Sequence, residues 1–268
     1  MARRSQVGSR DAFDAAAADF AALGRHLWEP IGADVVELVD PRPGERVLDA
    51  CCGTGASAIP TARRVDVEGH VDAVDISGPM VAELRERVSG LPQLHAHEAD
   101  VTAWEGTGYD LVQSVLGIFF FPDVAAGARR LNGAARPGGR VAFTIWRRGA
   151  VEPAGRQLTL SVAEVTGVEP PGERPRGPVD AINQPTTFAP WLSGLGLSDV
   201  DVVTHERRLT MTPEVAWLLV LGSGYRGALD ELTPDQIARV RDCYLARLDE
   251  TGLTHLDTTT LTGLGTTP

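Results

Sequence analysis

Val47-Leu48-Asp49-Ala50-Cys51-Cys52-Gly53-Thr54-Gly55 is an apolar run that meets a carboxylate and then breaks into a glycine-rich turn. A short apolar run bounded by turn signals reads as a buried strand. Glycines in such a turn let the backbone approach a ligand closely, because no side chain intervenes and positive φ is cheap. A second apolar run, Val71-Asp72-Ala73-Val74, ends in Asp75, twenty positions past Gly55. A carboxylate at the end of the second strand can accept both hydroxyl protons of a ribose. The two segments describe a nucleoside site at the carboxyl edge of a parallel sheet.

Strand and helix patterns alternate outward from that pair. Strands are expected over residues 46–50, 70–74, 93–98, 109–115 and 140–146, with helices over 56–65, 78–88 and 124–135. Pro137-Gly138-Gly139 reads as a tight turn into the fifth strand. Repeated β-α-β units imply an α/β fold with a doubly wound, mostly parallel sheet covered on both faces. Ahead of it, residues 11–23 form an alanine-rich helical pattern with Phe13 and Phe20, and an amphipathic segment spans 28–39. Beyond Trp146, helices are expected at 154–165, 188–195, 213–221 and 234–249, a loop at 169–178, and strands at 197–204 and in the threonine-rich 254–263. The whole reads as a single domain over 1–268: N-terminal cap helices over 1–40, a cofactor-binding core over 41–150, and a helical lid with C-terminal strands over 151–268.

Composition narrows the function. At 268 residues with 43% apolar content, the chain can bury a substantial core. No run approaches the roughly 20 apolar residues of a membrane span, and the first residues lack the apolar stretch of a secretory signal. Three cysteines, two of them adjacent, give no disulfide framework, so a reducing cytoplasm is the expected compartment. A net charge of −11 argues against nucleic acid as partner. The chain has no lysine, which removes Schiff-base, pyridoxal and Walker-type phosphate chemistry.

Gly53-x-Gly55-x-x-Ala58 also satisfies a loose dinucleotide fingerprint, which keeps an NAD-dependent oxidoreductase among the readings. Three features favour a different nucleoside. Asp49 precedes the glycines, where it would repel a pyrophosphate but can orient the loop or hold a ligand ammonium. In Glu98-Ala99-Asp100-Val101, an acid can accept from an adenine amino group and Val101 offers a backbone donor. Tyr109-Asp110-Leu111-Val112 and Pro137-Gly138-Gly139-Arg140 fall at the fourth and fifth strands.

This ordered set resembles the class I S-adenosylmethionine-dependent methyltransferases, in the branch of the ubiquinone and menaquinone C-methyltransferases and many natural-product methyltransferases. The resemblance covers about residues 27–146. It implies a seven-stranded sheet whose last strand is antiparallel, supplied here by the threonine-rich terminus. It further implies that Asp49, Gly53 and Gly55 hold the methionine end of S-adenosylmethionine, or of its product S-adenosylhomocysteine, with Cys51 as a backbone contact to the cofactor. Asp75 would take the ribose, Ile76 and Met80 would flank the adenine, and Asp100 and Val101 would read its edge. Gln113 and Ser114 would line the cleft near the sulfonium. Many quinone-type relatives carry a histidine after the fourth strand, where this chain has Phe119-Phe120-Phe121, which argues against a quinone-precursor acceptor.

The expected reaction is in-line methyl transfer to oxygen or carbon of a small apolar or aromatic metabolite, with no metal. Alignment can supply roughly 7–11 kcal/mol of such a barrier, and a general base adds about 10²–10⁴-fold where the nucleophile carries a proton. His26, beside Trp28 in the cap, is the candidate base, and Tyr225 is a second candidate catalytic residue. Trp28, Phe119, Trp146, Tyr225 and Arg226 are the candidate acceptor contacts. A cofactor-binding protein without methyl transfer, such as a cyclase or sensor, is the competing reading. A homodimer is left open.

Overall fold

The computed structural model describes residues 14–170, 172 and 177–268. Of the expected first helix, residues 14–24 are helical (α1), while residues 11–13 lie outside the described residues. There follow α2 (Trp28–Val39), β1 (Arg46–Ala50), α3 (Ala58–Val65), β2 (His70–Asp75), α4 (Gly78–Arg87), β3 (Leu94–Glu98), β4 (Tyr109–Val115), α5 (Val124–Asn132) and β5 (Ala135–Trp146). The remainder is α6 (Glu152–Thr166), α7 (Pro185–Gly194), β6 (Ser198–His205), β7 (Arg208–Thr210), α8 (Pro213–Leu221), α9 (Pro234–Glu250), β8 (His255–Asp257) and β9 (Thr260–Thr266).

Seven strands form one sheet in the order β3-β2-β1-β4-β5-β9-β6. Pairings among the first five are parallel, and β9 is antiparallel to both β5 and β6. The central strands are buried along almost their whole length, as expected where helices cover both faces. Chain order reverses between β1 and β4, and in such sheets ligands bind in the crevice beyond the carboxyl ends at that switch point. The helices begin where their sequences provide caps: Ser77 accepts from Met80 N, Asp123 from Ala126 N and Thr212 from Val215 N.

Two details differ from the sequence expectations. The turn expected at Pro137–Gly139 lies within β5 as an irregularity, its register jumping from Tyr109↔Ala135 to Leu111↔Arg140. The threonine-rich terminus is two strands, because Thr258 N and Thr259 O are drawn off to Arg207 O and Arg147 N. The first part, β8, pairs with β7 in a separate two-stranded sheet; β9 completes the large one.

The cap helices are tied to the C-terminal helices by a core of their own. Leu23, Leu27 and Ile31 share one apolar cluster with Ala154 and Leu158 of α6, Val215 and Leu219 of α8, and Val240 and Tyr244 of α9. This cluster roofs the carboxyl edge of the sheet. Among the described residues, no helix is long and apolar enough to cross a membrane.

Candidate active site

A cavity of about 710 Å³ lies under that roof, within the range typical of small-molecule sites. Its floor is the loop after β1, the end of β2 and the segment after β3. Cys51, Gly53, Asp75, Ile76, Met80, Asp100 and Val101 all border it. Trp28, Phe119, Trp146 and Tyr225 border it as well. The structure thus brings together eleven of the residues singled out in the sequence.

Asp75 holds the loop. Its Oδ2 accepts from Gly53 N at 2.8 Å, and its Oδ1 accepts from Ser77 N at 2.9 Å. Burial pushes its pKa up, against the pull of those backbone donors. Each oxygen keeps a lone pair for a ligand hydroxyl. Asp100 Oδ1 accepts from the backbone and hydroxyl of Thr102, which fixes this carboxylate at the edge of the cavity.

Asp49 and Ser114 stand one layer behind the cavity border. Asp49 is fully buried, and its Oδ2 accepts from Gln113 Nε2 at 2.8 Å. Burial raises its pKa to about 6, while the side chains of Ser57 and Gln113 lower it. Ser57 borders the cavity, yet Asp49 Oδ1 has no formed hydrogen bond. Ser114 Oγ is likewise buried without a partner, close to Cys51 and Gly117. Orphaned buried polar atoms are rare, and each asks for an explanation. A cationic ammonium or sulfonium in the cavity is one that suits a carboxylate.

The backbone carries a second sign of function. Among the described residues, Asp40, Cys51, Asp66, Leu116, Val151 and Asp199 have positive φ without being glycine. Aspartate tolerates that region in turns. The three others, Cys51 (φ 60°), Leu116 (φ 56°) and Val151 (φ 59°), all border the cavity. Such strain costs on the order of 1–3 kcal/mol per residue and clusters at ligand sites.

Three sequence expectations need correction. Gly55 does not face the ligand: at φ 91°, a Cβ there would lie 2.4 Å from Leu84 Cδ1 and 3.1 Å from Ile59, so this glycine seats α3 and α4 against the loop. His26 is off the cavity, its Nε2 accepting from Arg25 Nε at 3.0 Å. Arg226 is also off it, paired with Asp19 Oδ2 at 3.0 Å to tie the segment after α8 to α1. Tyr225 borders the cavity, with its hydroxyl donating to Val151 O at 2.7 Å and its pKa pushed up by burial.

No histidine borders the cavity. His70 and His97 instead reach Asp72 Oδ1 at 3.1 and 2.9 Å, on the sheet. Burial and the Asp75 charge hold the Cys51 thiol well above its ordinary range, so it is not an available thiolate. Among the described residues, no group of His, Cys, Asp and Glu is arranged to hold a metal ion.

Sequence reasoning missed several cavity residues. Phe20 borders the floor, stacks on Trp28 with centroids 4.8 Å apart, and would lie 3.2 Å from a Cβ on Gly53. Arg147 and Asn183 border the far end. They follow β5 and precede α7, in segments with no periodic signal.

Residues 47–139 match the family model described as "Methyltransferase domain". The chain is 36% identical over 136 residues to Nocamycin O-methyltransferase of Saccharothrix syringae, covering 49% of each chain. It is 33% identical over 144 residues to Aklanonic acid methyltransferase DauC of Streptomyces sp. (strain C5), covering 52% of this chain and 66% of that one. The chain therefore spans about half to two thirds of the length of these curated relatives. In fold it is similar to the YcgJ protein of Bacillus subtilis, with a TM-score of 0.57 and 12% identity, covering 88% of this chain and 97% of that one.

Proposed function

We propose that this chain, whose residues 47–139 match the methyltransferase-domain model, is a class I S-adenosylmethionine-dependent methyltransferase that transfers a methyl group to an oxygen of a small, largely apolar natural product in the cytoplasm. The observation that carries this reading is the meeting, in one cavity, of the Asp75-braced glycine loop with an aromatic chamber. The names of its relatives, an O-methyltransferase and the methyltransferase of an acid, point the same way.

The residues present fit the cofactor. Asp75 would hold the ribose hydroxyls, Ile76 and Met80 the adenine faces, and Asp100 with the Val101 N–H the adenine edge. Orphaned Asp49 Oδ1 supplies negative charge behind the loop for the methionine end. The sulfonium supplies a methyl group electrophilic enough to be displaced without further activation. The chain's own contribution is placement and exclusion of water. Trp28 and Trp146, with ring centroids 6.4 Å apart, stand with Phe119 and Leu116 as apolar walls around an acceptor.

Calorimetric titration with S-adenosylhomocysteine, with NADH in parallel, tests the reading. Micromolar binding of the first alone is expected. Asp75→Ala should weaken it by about 1–3 kcal/mol, the cost of stranding the groups this carboxylate holds. Binding of NADH alone would return the glycine loop to an oxidoreductase.

A further inference from the structure

Asp49 and Gln113 stand opposite each other as partners in the β1–β4 ladder, and both are fully buried. Gln113 Nε2 gives both of its protons to the protein. One goes to Asp49 Oδ2 at 2.8 Å and the other to Thr61 Oγ1, on α3, at 3.0 Å. Gln113 Oε1 is sealed from solvent and has no partner among the described residues. The amide thus ties a strand to a helix while its own acceptor stays empty, an arrangement that costs stability.

The charge of Asp49 accounts for that arrangement. Turned over, the amide would set Oε1 against Asp49 Oδ2 at 2.8 Å, acceptor against acceptor. Such a pairing holds only where Asp49 carries a proton to donate. The orientation present is the one that a carboxylate requires. The elements packed against Asp49 bring few groups to bear on it. On α3 stand Ser57 and Thr61, on β4 Gln113, and at the end of β2 Asp75, whose charge opposes ionisation while Ser57 and Gln113 favour it. The adjoining Cys51 and Cys52 thiols are held protonated by burial. Gln113 supplies the hydrogen bond that Asp49 accepts.

Resting on the methyl-transfer reading above, we infer that Gln113 is a positioning residue of the cofactor site that acts through Asp49. Braced by Thr61, its amide holds Oδ2, keeps the carboxylate ionised, and leaves Oδ1 for the methionine end of the cofactor. Cofactor binding is thereby linked to the charge of Asp49. A ligand ammonium stabilises the carboxylate, so a partly protonated site gives up its proton to solvent as the ligand enters. Without the amide, burial acts on Asp49 unopposed by its bonded donor. A hydrogen bond to a charged group corresponds to about one to two pH units.

The test follows Asp49 itself, by carbon-13 NMR of protein labelled at its aspartate carboxyls, the signal being identified by its loss in Asp49→Asn. Calorimetric titration with S-adenosylhomocysteine runs beside it from about pH 5 to 8. The wild-type midpoint is expected near the raised value of about 6. In Gln113→Met, which keeps the side chain's length, the midpoint should rise by about one to two pH units. The pH below which affinity falls should rise with it. Gln113→Glu leaves two carboxyls to share one proton and should raise the midpoint too, with an isosteric side chain that protects the fold. In an Asp49→Asn background, Gln113→Met should add no further pH dependence. A midpoint unmoved in both variants, or an affinity loss equal at every pH, would make Gln113 purely structural and overturn the inference. Failure of the wild type to bind S-adenosylhomocysteine at any pH would instead defeat the methyl-transfer reading itself.

Discussion

The two ends of the cavity are built on opposite terms. At the cofactor end, consecutive residues from Asp49 to Gly55 carry a buried carboxylate oxygen without a partner and a strained Cys51. At the acceptor end, Tyr225 is bound to Val151 and Glu152 to Gly149, while Arg147 gives Nη2 to Asp257 and keeps a buried Nε without a partner. On the methyl-transfer reading, the first end stands ready for a charged ligand at a cost in stability. The second is a largely apolar chamber walled by Trp28, Trp146 and Phe119. The difference teaches which substitutions should change binding and which should change only the fold.

Gly55→Val separates loop architecture from ligand contact with the largest expected effect. A β-branched residue at φ 91° is strained, and its Cβ would collide with Leu84. Strain and overpacking each cost about 1–3 kcal/mol, so Tm should fall by roughly 10 °C. Unchanged Tm with lost S-adenosylhomocysteine binding would put Gly55 on the ligand side after all.

Asp49→Asn probes the readiness directly. The folded-state pKa is raised from 3.8 to about 6, so the fold favours the protonated acid. The contribution of Asp49 to stability is therefore fully present below pH 3.8 and lost as pH rises through about 6. Ionisation at neutral pH then costs on the order of 3 kcal/mol. Asn does not ionise. The variant should gain up to that amount at pH 7.5 and almost nothing near pH 4, in thermal melts, while binding S-adenosylmethionine more weakly. No gain at pH 7.5 would mean that Asp49 carries no uncompensated charge.

The same contrast decides what was legible in the sequence. The cofactor end is local: a strand, a turn and the next strand lie within 30 residues, and their hydrophobic periods and glycines impose one geometry. Asp75 and Asp100 stand at or just after strand ends, where a carboxylate can meet a ligand, and Met80 was indicated by the family resemblance; all three border the cavity. Gly55 was legible as a glycine but not in its direction, since positive φ says nothing about which neighbour fills the space. The acceptor end is assembled from α1, the segment after β5, the turn before α7 and the segment after α8. No period links Phe20 to Gly53 or Arg148 to Asn183. Arg226 looked like a substrate contact because its partner, Asp19, lies 207 positions away.

Tyr225→Phe carries the smallest expected effect and the sharpest distinction. Val151, β-branched at φ 59°, is held by its N–H to Asp257 O at 2.9 Å and by the Tyr225 hydroxyl on its own carbonyl at 2.7 Å. Removing the hydroxyl should cost about 1 kcal/mol of stability while leaving the apolar wall in place. A base would lose about 10²–10⁴-fold in rate. With any acceptor the protein methylates, the variant should stay within about threefold of wild type, because the tyrosine proton is committed to the Val151 carbonyl. A loss of a hundredfold at unchanged Tm would show that the hydroxyl leaves Val151 when an acceptor binds, and would make the acceptor end as unsatisfied in action as the cofactor end is at rest.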